Sequence, residues 1–166
     1  YMYDERVRPS TRLNYMKKTD AKEEIPGKSR QAVENIYEYC RKNNAKLVLI
    51  STPSTAYWNY KRHNSVAELA ESLGVEYVDM NLINDQVGIE WSTDTRDRGM
   101  HMNIYGARKC SAFLGAYLAK TEQFQDKRKD ASYADWFDAL EAFNESTDNA
   151  LDRPSPEPED NTKKAD

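Results

Sequence analysis

The residues best suited to chemistry lie together in one stretch: Trp91-Ser-Thr-Asp94-Thr-Arg-Asp97-Arg-Gly-Met-His101-Met-Asn103-Ile-Tyr-Gly106-Ala-Arg-Lys109. It carries His101, one of only two histidines in the chain, with Asp94 and Asp97 shortly before it. An imidazole beside a carboxylate suits general-base work. The acid fixes the ring tautomer and stabilises the imidazolium formed when the ring takes a proton. Asn103 follows, and Asn is a strong helix N-cap because its side-chain oxygen accepts an unpartnered N–H of the first turn. His101 is therefore expected in a loop at the mouth of a helix, where binding and catalytic groups are commonly displayed. The competing reading is a surface histidine that happens to have acids nearby.

A hydrolase also needs a nucleophile and donors for an oxyanion. No Gly-x-Ser-x-Gly elbow occurs. Ser51 and Ser54 lack the glycine turn that would expose a nucleophilic oxygen, and they read as strand-end hydrogen-bonders. Cys40, Cys110, His63 and His101 show no metal-ligand spacing, so no metal site is expected. No cofactor is expected either, since neither Gly-x-Gly-x-x-Gly nor a P-loop is present. Both cysteines fall on apolar helix faces and read as buried thiols, with a disulfide left open.

These groups must be positioned by a chain of 166 residues, a length that suits one domain with its own core. Residues 1–27 show no sustained period and read as an extended, surface-running lead-in, with a short strand near Tyr1–Val7. Val33, Ile36, Tyr37 and Cys40 make one stripe of a helix over 29–43 with Ser29 as N-cap. Lys46–Ser51 is a short apolar run that fits a strand buried on both faces, stopped at Pro53. An aromatic loop follows with Tyr57, Trp58 and Tyr60. Val66, Leu69, Ala70 and Leu73 mark a helix over 62–73, closed by Gly74, which tolerates a left-handed conformation. A second strand is expected at 75–80, then a long connection over 81–102 of the kind that is often functional. Residues 104–119 read as a helix. A last helix at 133–144, capped by Ser132, carries the stripe Tyr133, Trp136, Phe137, Leu140 and Phe143, read as packed on the body. From Thr147 the chain is rich in Pro, Asp and Glu, and a disordered acidic tail is expected over 147–166. Alternating helices and strands argue for an α/β fold, a small parallel sheet with helices on both faces. Two strands are few for such a sheet, so the chain reads as half of a larger α/β domain, over 28–146.

The net charge of −4 argues against nucleic acid as a partner. No apolar run approaches the ~20 residues that span a bilayer, so no membrane segment is expected. The start at Tyr-Met-Tyr reads as a processed product or a fragment. Oligomeric state has no signature in the sequence.

In an open parallel sheet the ligand crevice lies beyond the carboxyl ends of the strands. That rule gathers Ser51–Thr55, Asp79–Asn81 and the Asp97–His101 loop. Here the chain resembles the second half of an SGNH/GDSL-type hydrolase, a family of esterases and acyltransferases with a three-layer α/β/α fold. Lys46-Leu-Val-Leu-Ile-Ser-Thr-Pro53 is similar to a late core strand of that family. Gly74-Val-Glu-Tyr-Val-Asp79 is similar to the next strand. Asp97-Arg-Gly-Met-His101-Met-Asn103-Ile-Tyr-Gly106-Ala-Arg-Lys109 is similar to its closing block, an acid–His pair followed by Asn, Gly and a helix. The likeness spans about residues 29–120 and extends more loosely through Trp136 among membrane-anchored relatives of Gram-positive bacteria.

The resemblance implies a serine esterase or acyltransferase acting on an ester of a carbohydrate or cell-wall polymer, in an extracytoplasmic, membrane-associated setting. His101 would be the general base and Asp97 its acid, with Asp94 second in line. Trp58, Tyr60 and Trp91 would line the substrate pocket, since aromatic faces pack well on sugar rings. The family's Gly-Asp-Ser block and its Gly and Asn oxyanion blocks have no counterpart here, which places the nucleophile outside this chain. Arg98 stands where the usual Asp lies three residues before the His, and Met100 where some relatives carry Asp. A non-catalytic binding domain, or a degenerate SGNH pseudoenzyme, is the alternative those two positions leave open.

Overall fold

The structure, a computed structural model, describes residues 4–121 and 124–151. The fold is mixed α/β, with five α-helices and a two-stranded parallel sheet among the described residues. The chain divides into two compact units. One is Thr11–Val87; the other joins the residues up to Ser10 to those from Gly88 onward.

The Thr11–Val87 unit holds α1 (Gly27–Lys42), β1 (Val48–Ser51), α2 (Tyr60–Leu73), β2 (Glu76–Asp79) and the short α3 (Asn84–Val87). β1 and β2 pair in parallel, Val48 opposite Glu76 and Ser51 opposite Asp79. Parallel neighbours need a crossover, and α2 supplies it. Its two ends are written locally. Asn59 is extended and its side chain accepts the Arg62 N–H, and Gly74 takes φ 65° as the closing residue. The Val75 N–H then reaches back to the Ala70 carbonyl at 3.0 Å, the bond of a Schellman ending. Leu69, Ala70, Val78, Met80 and Val87 are the buried apolar side chains here.

α1 departs from the expected pattern at both its start and its face. It begins at Gly27 after Pro26, whose carbonyl takes the Ser29 and Arg30 N–H groups, so Ser29 lies in the first turn and is not the cap. No residue of α1 is fully buried, and Ile36 of its stripe is exposed.

In the other unit, residues 4–10 form no strand but lie along the loop that follows residue 90. Arg8 N–H bonds the Thr95 carbonyl, Arg98 N–H the Arg8 carbonyl, Ser10 N–H the Trp91 carbonyl and Ile104 N–H the Asp4 carbonyl, each at 2.9 Å. Val7 is 2% exposed and Ser10 is buried, so this part of the lead-in is interior rather than surface-running. α4 (Ile104–Thr121) follows Asn103, and Cys110 is buried on it.

A 3₁₀ turn (Ala131–Tyr133), capped by Asp130 rather than Ser132, leads into α5 (Ala134–Leu151). The aromatic stripe expected to pack is largely in water: Trp136 is 74% exposed, and Tyr133, Leu140 and Phe143 are exposed too. Helical periodicity reports which residues share a face, and cannot by itself say that the face is covered. α5 also runs past Thr147 to Leu151, where a disordered tail was expected; the rest of that expected tail, 152–166, lies outside the described residues. No described helix is long and apolar enough to cross a membrane.

Two expectations follow for solution. A Cβ at Gly106 would collide with the Asp94 carbonyl and lie 2.7 Å from Met102 Sδ. Gly106→Ala should therefore lower stability by about 1–3 kcal/mol, outweighing alanine's helix propensity, as read by the urea midpoint. Burial pushes the Cys110 thiol up to about 11. About one such thiol in a thousand is ionised at pH 8, so iodoacetamide should label the half-buried Cys40 first in the native protein. Cys110 labelling should rise as pH climbs toward 11; equal native rates for the two thiols would contradict this.

Candidate functional site

The loop from Asp94 to Asn103 is closed on itself. Thr95 and Met102 form an antiparallel bridge. The His101 carbonyl accepts the Arg96 N–H at 3.2 Å and the Thr95 hydroxyl at 3.0 Å. Between these limbs the chain reverses through two left-handed residues, Arg98 at φ 63° and Gly99 at φ 90°. Glycine adopts that conformation without strain, and Arg does not. The turn is held by Gly99 N–H donating to Thr95 Oγ1 at 2.7 Å and by the Arg98 bond to Arg8.

This reversal brings His101 back onto Asp97. Asp97 Oδ2 lies 2.6 Å from His101 Nδ1, and Asp97 Oδ1 accepts the His101 backbone N–H at 2.6 Å. Both carboxylate oxygens thus fix one residue, through its ring and through its backbone. With the ring proton on Nδ1, Nε2 is the basic nitrogen. The imidazole is 55% exposed and the carboxylate 24%.

Asp94, the second acid of the sequence reading, is engaged elsewhere. It is 2% exposed, and its carboxylate accepts the Glu90 N–H at 2.8 Å, the Thr93 hydroxyl at 3.1 Å and the Lys109 ammonium at 2.8 Å. Burial alone would lower the Lys109 pKa, but hydrogen bonds and charge from Asp94 and Glu90 outweigh it and raise the pKa. Asn103 caps α4 as its position predicts, accepting the Tyr105 and Gly106 N–H groups at 3.1 and 3.2 Å. Its amide donates to the Thr93 carbonyl at 2.6 Å and the Arg6 carbonyl at 3.1 Å. Nearby in sequence to Arg6, Asp4 is held by that guanidinium, which brings its carboxyl down to about 2.

The Thr11–Val87 unit contains a cluster that spacing alone does not reveal. Asp79, at the end of β2, accepts Trp58 Nε1 at 2.8 Å and the Tyr77 hydroxyl at 3.1 Å on one oxygen, Oδ2, which also lies 2.9 Å from His63 Nδ1. Its other oxygen accepts the Asn81 backbone N–H at 2.9 Å and side-chain amide at 2.8 Å. Ser51 Oγ lies 2.9 Å from the Tyr77 hydroxyl, and burial raises the Tyr77 pKa, so the phenol stays protonated. Ser54 is buried; its N–H donates to Asn81 Oδ1 at 2.9 Å and its Oγ accepts the Tyr57 N–H at 3.2 Å. Ser51 and Ser54 are thus bonded to neighbours at the strand ends, and neither contacts an imidazole in the hydrogen bonds described.

Of the three aromatics read as pocket-lining, Trp58 and Tyr60 meet at this cluster, Tyr60 through an edge contact to His63 with centroids 5.3 Å apart. Trp91 belongs to the other unit, where it is half-buried and its carbonyl receives Ser10. Spacing does not reveal the His63–Asp79 pair, because the two residues come from a helix and a strand and lie sixteen positions apart. The signal present was the expected placement of Asp79 at a strand's carboxyl end. A cavity of about 390 Å³ in the same unit is lined by charged groups including Lys22, Glu23, Arg30 and Glu68, and by none of the residues read as a site. Among the described residues no three His, Cys, Asp or Glu side chains are grouped to hold a metal ion.

Comparison with family models, with curated proteins and with solved structures finds no match.

The two acid–His pairs should differ sharply in their structural weight. Asp79→Ala removes the acceptor of several buried donors and should cost about 3 kcal/mol or more. Asp97→Ala, at an exposed pair, should cost less than about 1 kcal/mol. Urea denaturation of the two variants reads the difference, and comparable losses would show that the Asp97 loop is a structural element first.

Proposed function

We propose that the chain is the second half of an SGNH-type serine esterase or acyltransferase with a three-layer α/β/α fold. Its substrate is an ester of a carbohydrate or cell-wall polymer. His101 is the general base and Asp97 its orienting acid, and the nucleophilic serine with its oxyanion donors comes from polypeptide outside residues 1–166. The observation that carries this reading is the 2.6 Å approach of Asp97 Oδ2 to His101 Nδ1 in a loop that opens a helix. The parallel pairing of β1 and β2 is of the kind that class builds; the two strands are fewer than its sheets hold, and Ile50 of β1, expected in a strand buried on both faces, is exposed.

The chemistry follows from that pair. The serine hydroxyl gives its proton to His101 Nε2 as its oxygen attacks the ester carbonyl. The tetrahedral oxyanion collapses, and the leaving alcohol takes the proton back from the imidazolium. Water, or an acceptor hydroxyl, then repeats the sequence on the acyl-enzyme. Asp97 keeps the ring in the productive tautomer and offsets its transient charge. Trp91, in the same unit as His101, supplies an apolar face for a sugar ring or acyl chain, and Trp58 and Tyr60 supply such faces within the Thr11–Val87 unit.

The test is an esterase assay with an activated acetyl ester on this chain and on a longer polypeptide that includes the preceding segment. The chain alone should show little turnover. In the longer protein, His101→Ala should lower kcat by about 10³-fold or more, with Asp97→Ala also strongly impaired. Undiminished activity of His101→Ala would sink the proposal. Robust turnover by the 166-residue chain alone would move the nucleophile to Ser51 or Ser54.

A further inference from the structure

We propose that His63, held by Asp79, is a hydroxyl-recognition site for a sugar ring, built entirely within the Thr11–Val87 unit. The site deepens the carbohydrate reading and rests on it for the choice of ligand, but it uses different residues from the proposed catalytic pair.

The acid is the better built of the two in the protein. Asp79 is buried, its side chain 3% exposed, while the imidazole of His63 keeps 19%. Trp58, Tyr77 and Asn81 all donate to the carboxylate, so it is pinned before any ligand arrives. The His63 ring stacks on Tyr77 at 5.6 Å between centroids and meets Tyr60 edge-on at 5.3 Å. Its orientation is therefore set by a carboxylate and two aromatic rings.

What remains is Nε2. It makes no hydrogen bond among the described residues, and it is not closed off from solvent. Because Nδ1 faces a carboxylate, the ring proton belongs there and Nε2 presents a lone pair. The site is thus a fixed acceptor set among the aromatic carbons of Tyr60 and Tyr77. Its ligand needs an O–H donor beside a C–H face that can lie on an aromatic ring. A pyranose has both. An anion would meet the lone pair and the Asp79 charge, and a metal ion would find no further ligands grouped here. A structural clip alone would need only Nδ1.

The experiment is an NMR titration of the 166-residue chain with methyl pyranosides, following the His63 ring nitrogens and the Trp58 indole N–H. Dissociation constants of about 1–10 mM are expected, typical of a single-ring contact, with Nε2 moving as a hydrogen-bond acceptor does. His63→Phe keeps an aromatic ring and removes the acceptor, and it should weaken binding about tenfold. Tyr60→Ala, which removes the half-buried ring edge-on to His63 and leaves the Asp79 carboxylate its donors, should weaken it as well and guards against misfolding of the first variant. Silence of both resonances to every pyranoside at about 100 mM, or unchanged affinity in a folded His63→Phe, overturns the proposal. No ester is turned over in this titration, so its failure is distinct from failure of the catalytic reading.

Discussion

Among the described residues, Asp94, Thr95 and Asn103 stand with Met80 as the largest side chains almost wholly withdrawn from water. Three of these four are polar, and a buried polar group left without a partner costs about 1–3 kcal/mol. That demand organises the loop between α3 and α4 more than any apolar contact does. Asp94 ties the loop to Lys109 on α4 and to the backbone at Glu90. Thr95 collects the Gly99 N–H and gives its own proton to the His101 carbonyl. Asn103 joins the loop, the helix it caps and the lead-in at Arg6. Among the described residues no buried side-chain nitrogen or oxygen lacks a partner. The same rule shapes the other unit, where Asp79 and Asn81 gather the strand ends, the aromatic loop and the first turn of α2.

This explains what could be read from the sequence. Features fixed within a few residues were legible. Gly74 closes α2, Asn103 opens α4, and the run through Val48–Ser51 makes a strand paired in parallel with Glu76–Asp79. In each case the signal and the structure it specifies share one turn or one strand. Helix starts are less secure: α1 begins after Pro26 with no side-chain cap, which leaves Ser29 in the first turn, and Asp130 takes the capping place expected for Ser132. The parallel pairing of the strands was accessible from the intervening helix, since no short turn can join parallel neighbours.

What was hidden depends on distant partners. The apolar stripe of α5 has the helical period, yet Trp136 and its neighbours stand in water. Period alone does not name a covering surface. His63 looked unremarkable because its carboxylate lies across the α2–β2 connection. Val7 reads as part of a surface lead-in because its burial arises from the loop over 91–98 and not from any pattern of its own. Asp97 ranks ahead of Asp94 only through the family resemblance, and nothing in the spacing gives a physical reason for that order. Burial separates them: one is consumed by Lys109, and only the other reaches the imidazole.

The acid–His pairs show how one chemical unit changes with its setting. Around Asp79 the dielectric is low and the donors are fixed, so the pair is stiff and its field persists. Asp97 and His101 are as close, but they sit in a turn whose strain falls on Arg98, a left-handed position that costs a non-glycine residue about 1–2 kcal/mol. Such strain survives only where surrounding bonds over-determine the turn, here the bonds to Arg8 and Thr95. The result is a precise orientation in a wet place. Water screens Asp97 from His101 and weakens the help the acid can give a forming imidazolium. Excluding that water would strengthen the pair without moving an atom of it. On the function proposed above, a segment that carries a nucleophile to His101 would thus have two tasks, supplying the serine and covering the loop.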